Sequence, residues 1–174
     1  VGIYGVNYLT TPELYGNGTI NINNNGNIIS TGTAHGGYGI YANNTALPAA
    51  SSLITLGTGS NIDVSSGAAG IGIYADGATV NLNTGSSITA GNNGAIGVYA
   101  LNGVNIVNSG TTSVGSNSYG YALKSGSNLV NNSDTTLENN GVLVYGDAAG
   151  IINNNGKVSM NGSNIIGFYT VNGG

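Results

Sequence analysis

One phrase returns seven times along this chain, and its phase limits the fold more than any other feature. It reads VGIYG (1–5), YGIYA (38–42), IGIYA (71–75), IGVYA (96–100), YGYAL (119–123), VLVYG (142–146) and IGFYT (166–170). The frame is apolar, glycine, apolar, tyrosine, with departures at Leu143 and Ala122. The later copies start 25, 23, 23 and 24 residues apart, whereas the first two intervals are 37 and 33. A fixed period of this size is the signature of a solenoid. The extra length falls at 7–17, with Pro12, and at 43–52, with Pro48. Both stretches read as loops inserted into an otherwise regular array.

Between copies a second pattern runs from a short apolar pair through an Asn- or Ser-rich turn into a β-branched segment, as in INNNGNIIS (22–30), LNTGSSIT (82–89), VNSGTTSV (107–114) and INNNGKVSM (152–160). Asn and Gly tolerate the left-handed backbone of tight corners, and Ser and Thr bond locally to the main chain. Each repeat therefore holds two or three short strands joined by corners. Helices are excluded by the density of Gly and Asn, by apolar alternation of period two and by the abundance of Val, Ile, Thr and Tyr. The sequence predicts an all-β, right-handed parallel β-helix of about 23–25 residues per coil, with two longer, loop-bearing coils at the N-terminal end. Successive coils would stack about 4.8 Å apart.

Alternation divides each phrase into two faces. Val1, Tyr38, Ile71, Ile96, Tyr119, Val142 and Ile166 share a side with Ile3, Ile40, Ile73, Val98, Tyr121, Val144 and Phe168, and both columns are expected to form the core. The opposite side would carry a glycine groove, with Leu143 at one place in it, beside an external ladder of Tyr4, Tyr41, Tyr74, Tyr99, Tyr145 and Tyr169. Such a ladder can simply pack, because tyrosines suit a pleated surface and stack on one another. It can equally present a flat apolar strip edged with hydroxyls to a sugar ring or to another protein. Tyr8, Glu13 and Tyr15 in the first insertion, and the 43–52 insertion, are further candidate contacts.

Composition removes several function classes. The chain has 174 residues, is 40% hydrophobic and carries a formal charge of −4 with two basic residues, Lys124 and Lys157. Leu, Ile, Val and Phe make about 24% of it, enough for a core. Two cations cannot neutralise a run of phosphates or hold an anionic bilayer, so nucleic acid and membrane surfaces are not expected partners. No apolar run approaches the length of a membrane span, and no secretory signal is recognisable within the 174 residues. With no cysteine there is neither a disulfide framework nor thiolate chemistry.

Catalysis on a β-helix calls for clustered carboxylates. Asp63, Asp76, Asp134, Asp147, Glu13 and Glu138 are instead spread singly, and His35 is the only histidine. No calcium repeat, EF-hand loop or histidine pair at ligand spacing occurs, so no metal and no cofactor are expected. GAAGIG (67–72) resembles half of a nucleotide fingerprint, but that motif needs a helix after it, and a strand is expected here. The sequons at Asn17, Asn43, Asn131 and Asn161 follow from the abundance of Asn, and stacked asparagines are read as hydrogen-bonded ladders.

The G-[IV]-Y-A phrase, the Asn-Gly turns and strands such as VNSGTTSV resemble the passenger repeats of large bacterial autotransporter adhesins, particularly the Asn/Gly-rich ones of fusobacteria. The resemblance covers essentially the whole chain and is one of repeat style. It implies a non-enzymatic rod displayed outside the bacterial cell, used for adhesion, co-aggregation or biofilm. Its partners would be a host or bacterial cell-surface protein or glycan, and adjacent β-helix coils of the same or another chain. The same repeat phase at both ends suggests a single segment, 1–174, of a longer rod. A self-assembling extracellular filament is the second reading, and a polysaccharide-acting β-helix enzyme a third. An ice-binding solenoid would need regular Thr-x-Thr rows, which are lacking.

Overall fold

A computed structural model describes residues 1–6, 20–31, 37–44 and 52–173. Among the described residues nineteen strands, numbered β1 to β19 in chain order, lie in three parallel sheets. The first sheet holds the phrase repeats: β1 (Ile3–Val6), β4 (Tyr38–Asn43), β7 (Ile71–Asp76), β10 (Ile96–Leu101), β13 (Tyr119–Lys124), β16 (Val142–Asp147) and β19 (Ile166–Val171). The second holds β2 (Asn21–Asn24), β5 (Leu53–Leu56), β8 (Thr79–Leu82), β11 (Asn105–Asn108), β14 (Asn128–Asn131) and β17 (Ile152–Asn154). The third holds β3 (Asn27–Ile29), β6 (Asn61–Asp63), β9 (Ser87–Ala90), β12 (Thr111–Val114), β15 (Thr135–Leu137) and β18 (Val158–Met160). The chain visits the sheets in rotation, and each strand pairs with its counterpart one coil away. This is the expected parallel β-helix, and its connections are consistent with the right-handed coil that parallel strands favour. The segment after GAAGIG is strand β7, as the sequence predicts.

Register follows the repeat. Ile73 pairs with Val98 and Tyr74 with Tyr99 in the first sheet, Val80 with Ile106 in the second, and Ile88 with Thr112 in the third. Side chains from all three sheets meet in one interior that includes Ile40, Ile73, Val98, Ile54, Leu129 and Ile62. Each fully buried Ile or Leu contributes about 1.5–3 kcal/mol relative to exposure.

The corners have the predicted chemistry. Asn93, Asn102, Asn117, Asn140, Asn164 and Asn172 adopt φ between 53° and 60°. Asparagines also stack as expected. Inside the second corner Asn108 Nδ2 donates to Asn131 Oδ1, and Asn131 Nδ2 to Asn154 Oδ1, each at 2.7 Å. Outside, Asn128 Nδ2 donates to Asn105 Oδ1 at 2.8 Å and Asn140 Nδ2 to Asn117 Oδ1 at 2.9 Å. The sequon residue Asn131 is therefore fully buried and committed to a ladder.

One expectation is overturned. The column Val1, Tyr38, Ile71, Ile96, Tyr119, Val142 and Ile166 is not core: none of its members is buried, and Val1, Tyr38 and Ile166 are exposed. The glycines lie inside, so there is no external glycine groove. In β7 and β10 the first and fourth residues are half-exposed, while the second, third and fifth are buried. Strict alternation fails because the chain bends at the glycine, which is skipped in the pairing of Ile71 with Ile96 and Ile73 with Val98. A Cβ on Gly72 would lie 2.6 Å from the carbonyl oxygen of Gly97 and 3.0 Å from Ile88 Cγ2 of the third sheet. Glycine is thus needed for a close approach across the interior.

The row's exception fits the same account. Leu143 is fully buried, and the third-sheet register position that holds Ile62 and Ile88 in earlier coils passes to Thr112 and Thr135. Shortening Ile to Thr leaves interior room for a larger side chain from the first sheet. Tyr121 uses the same space: it is fully buried, and its hydroxyl lies 2.9 Å from Thr112 Oγ1. Burial pushes its phenol pKa up, and the Thr112 hydrogen bond opposes that shift. Phe168, expected in the core column, is 47% exposed on the last strand of the first sheet.

Candidate functional site: the tyrosine ladder

The fourth position of each phrase faces outward, and parallel in-register pairing sets one tyrosine above the next. Tyr4 and Tyr41 stack with ring centroids 5.2 Å apart, Tyr41 and Tyr74 at 4.6 Å, and Tyr74 and Tyr99 at 5.5 Å. Interplanar angles of 15°, 5° and 6° make the rings nearly coplanar steps. Tyr145 and Tyr169 continue the row at 5.9 Å. The six ladder tyrosines read from the sequence are therefore brought to one face, in two runs.

The inverted first column adds to that face. Tyr38 stands edge-on to Tyr41 at 5.4 Å and to Tyr74 at 6.1 Å, and Tyr119 edge-on to Tyr145 at 6.1 Å. Edge-to-face contacts place the positive ring edge on a negative ring face. The site is therefore wider than a single row: tyrosines on one side, Ile71, Ile96 and Val142 between them. Sequence alternation assigned these residues to the interior. The usable signal was Leu143, because an apolar residue in a row of glycines marks that row as inward.

At the sixth position the face acquires polar groups. Lys124 Nζ lies 3.6 Å from Asp147 Oδ2, and Tyr99 is close enough to act on the same ammonium. The Tyr99 oxygen above all, then Asp147 and Tyr145, holds the Lys124 pKa above its ordinary value against slight desolvation. Asp76, nearly buried, accepts from Asn102 Nδ2 at 2.7 Å. Burial first, then Asp76 and the neighbouring phenols, pushes the Tyr74 hydroxyl up to about 12.

The other acids serve the coil. Asp63 Oδ1 accepts from the Ser65 N–H at 2.9 Å, Asp134 Oδ1 from the Lys157 N–H at 2.8 Å, and Asp147 Oδ1 from Asn172 Nδ2 at 2.7 Å. Among the described residues no three of His, Asp and Glu come together as a metal site. Tyr8, Glu13, Tyr15, His35 and most of the second insertion lie outside the described residues.

Three in-register sheets with an aromatic outer row define a parallel β-helix solenoid. None of the family models, curated proteins or solved structures compared with the chain matches it.

Proposed function

We propose that this chain is a non-enzymatic segment of a bacterial surface rod that makes attachments to a glycan or protein on a host or bacterial cell. The observation that carries the reading is the ordered aromatic face. Tyr4 and Tyr169 are 64% and 49% exposed, and the rings between them are held parallel by the coil below rather than folded into the core. A row of preordered rings loses little side-chain entropy on binding, which favours contact with flat apolar partners. The acids described above bind the corners of the solenoid, a structural use consistent with a scaffold. The repeat style that resembles autotransporter passengers supports the same reading and an extracellular location.

Replacing Tyr41, Tyr74 and Tyr99 together with Ser tests it. Attachment of beads coated with the chain to bacterial and epithelial cells should fall to background while circular dichroism stays that of a β-helix. Unchanged attachment by the folded triple variant would discard the ladder as the contact surface. Release of reducing ends from a panel of neutral and acidic polysaccharides would replace the adhesive reading with an enzymatic one.

A further inference from the structure

The ladder lacks one rung. In β13 the phrase is Tyr-Gly-Tyr-Ala-Leu-Lys, so the aromatic has moved to the inward third position and Ala122 occupies the outward fourth. Register sets Ala122 between Tyr99 of β10 and Tyr145 of β16. These two tyrosines are two coils apart, roughly twice the 4.8 Å strand spacing. The result is a slot of about 230 Å³ lined by Ile96, Tyr99, Tyr119, Ala122, Lys124 and Tyr145. Ala122 lies at its base and is 4% exposed, Tyr119 stands edge-on to Tyr145 beside it, and one end carries the Lys124–Asp147 pair.

We infer that this slot seats a single neutral pyranose ring of a glycan, a deduction that rests on reading this face as an attachment surface. Spacing is the first argument. Neighbouring rungs elsewhere lie 4.6 to 5.9 Å apart, so one missing rung between Tyr99 and Tyr145 leaves an interval that a single six-membered ring would fill. The second argument is chemical. The C–H face of a pyranose carries partial positive charge and sits well on the negative face of a tyrosine.

The third argument separates a sugar from an aromatic side chain or an anion. The polar end offers an ammonium donor and a carboxylate acceptor 3.6 Å apart, with Tyr99 lining the same slot. Paired donors and acceptors match vicinal hydroxyls, each of which both donates and accepts. A bare phenyl ring would leave them without use. An anionic sugar would meet Asp147 next to Lys124, so the local charge is balanced rather than positive.

The experiment is saturation-transfer NMR on the 174-residue chain with methyl β-galactoside, methyl β-glucoside and methyl α-mannoside. Glucuronate and p-cresol serve as anionic and aromatic comparisons. At least one neutral glycoside should receive saturation from the protein. Ala122→Tyr, which gives this coil the rung its neighbours have, should abolish the transfer. Lys124→Met should weaken it without filling the slot, and guards against a misfolded Ala122→Tyr. Transfer retained in folded Ala122→Tyr overturns the proposal. So does transfer to p-cresol or glucuronate but to no neutral glycoside, or to none of the five. Loss in Tyr41→Ser but not in Ala122→Tyr would overturn the slot while leaving the ladder as the attachment surface. Loss of cell attachment in the triple Ser variant alone would speak only to the broader reading.

Discussion

Asn131 receives the side-chain amide of Asn108 and gives its own to Asn154, so three consecutive coils are tied through one fully buried carboxamide. Asn131 Nδ2 also donates to the Ser133 carbonyl at 2.9 Å, fastening the corner of its own coil. Earlier coils carry Leu56 and Leu82 at this register position, so the interior there can be apolar or polar. Asn131→Ala should cost about 3 kcal/mol, since buried Asn108 and half-buried Asn154 each lose a partner. Asn105→Ala, which removes a rung from an exposed ladder, should cost no more than about 0.5 kcal/mol. Chemical denaturation of the two variants measures the contrast.

Gly97 faces the interior, where an added Cβ would lie 2.6 Å from the Gly120 carbonyl oxygen and 3.6 Å from Ile88 Cγ2. Because the nearer obstacle is backbone, the coil above must shift. Gly97→Ala should destabilise by about 1–3 kcal/mol, in the range of overpacked cores. An outward-facing glycine, as alternation alone predicted, would accept Ala at no cost, so thermal denaturation of this one variant discriminates between the two orientations.

Alkaline pH should loosen the rod only above the range in which an ordinary tyrosine ionises. The Tyr74 hydroxyl moves from an ordinary value of 10.0 to about 12, with burial the largest cause, and buried Tyr121 shifts in the same direction. Raised folded-state values mean that the neutral phenols stabilise the fold fully below pH 10, and that this contribution drains away as pH rises through 12. Phenolate absorbance should show a part of the tyrosine signal, that of Tyr74 and Tyr121, appearing late, with unfolding accompanying it. A single early class would contradict the burial of Tyr121.

The solenoid was legible because its repeat is covalently written. The phase that sets IGIYA over IGVYA in the sequence also pairs Ile73 with Val98 and Tyr74 with Tyr99. The corners were legible through Asn and Gly, which few other structural needs would place so often. The outward tyrosines could be read too. The inward glycines could not be obtained from a period of two, because the neighbours they approach, Ile62 at Gly39 and Ile88 at Gly72, come from another sheet and are brought there by the coil. Tyr38, Tyr119 and Ile96 were misplaced for the same reason, and with them the side wall of the Ala122 slot. The slot's missing rung was visible in YGYAL, but its meaning depended on knowing which neighbours flank Ala122 in space.

The bond between Thr112 and Tyr121 joins the last side of one coil to the first side of the next. Repeat arrays of this kind lengthen and shorten when recombination misaligns similar stretches of coding sequence. A coil such as 71–95, with Gly72 matched to Ile88, carries its own fit and could be copied or lost as a cassette. The pair at Thr112 and Tyr121 straddles the junction between cassettes. A crossover there would set Tyr121 beneath an isoleucine or leave Thr112 without its partner, so this stretch should be inherited as an indivisible block within an otherwise exchangeable rod.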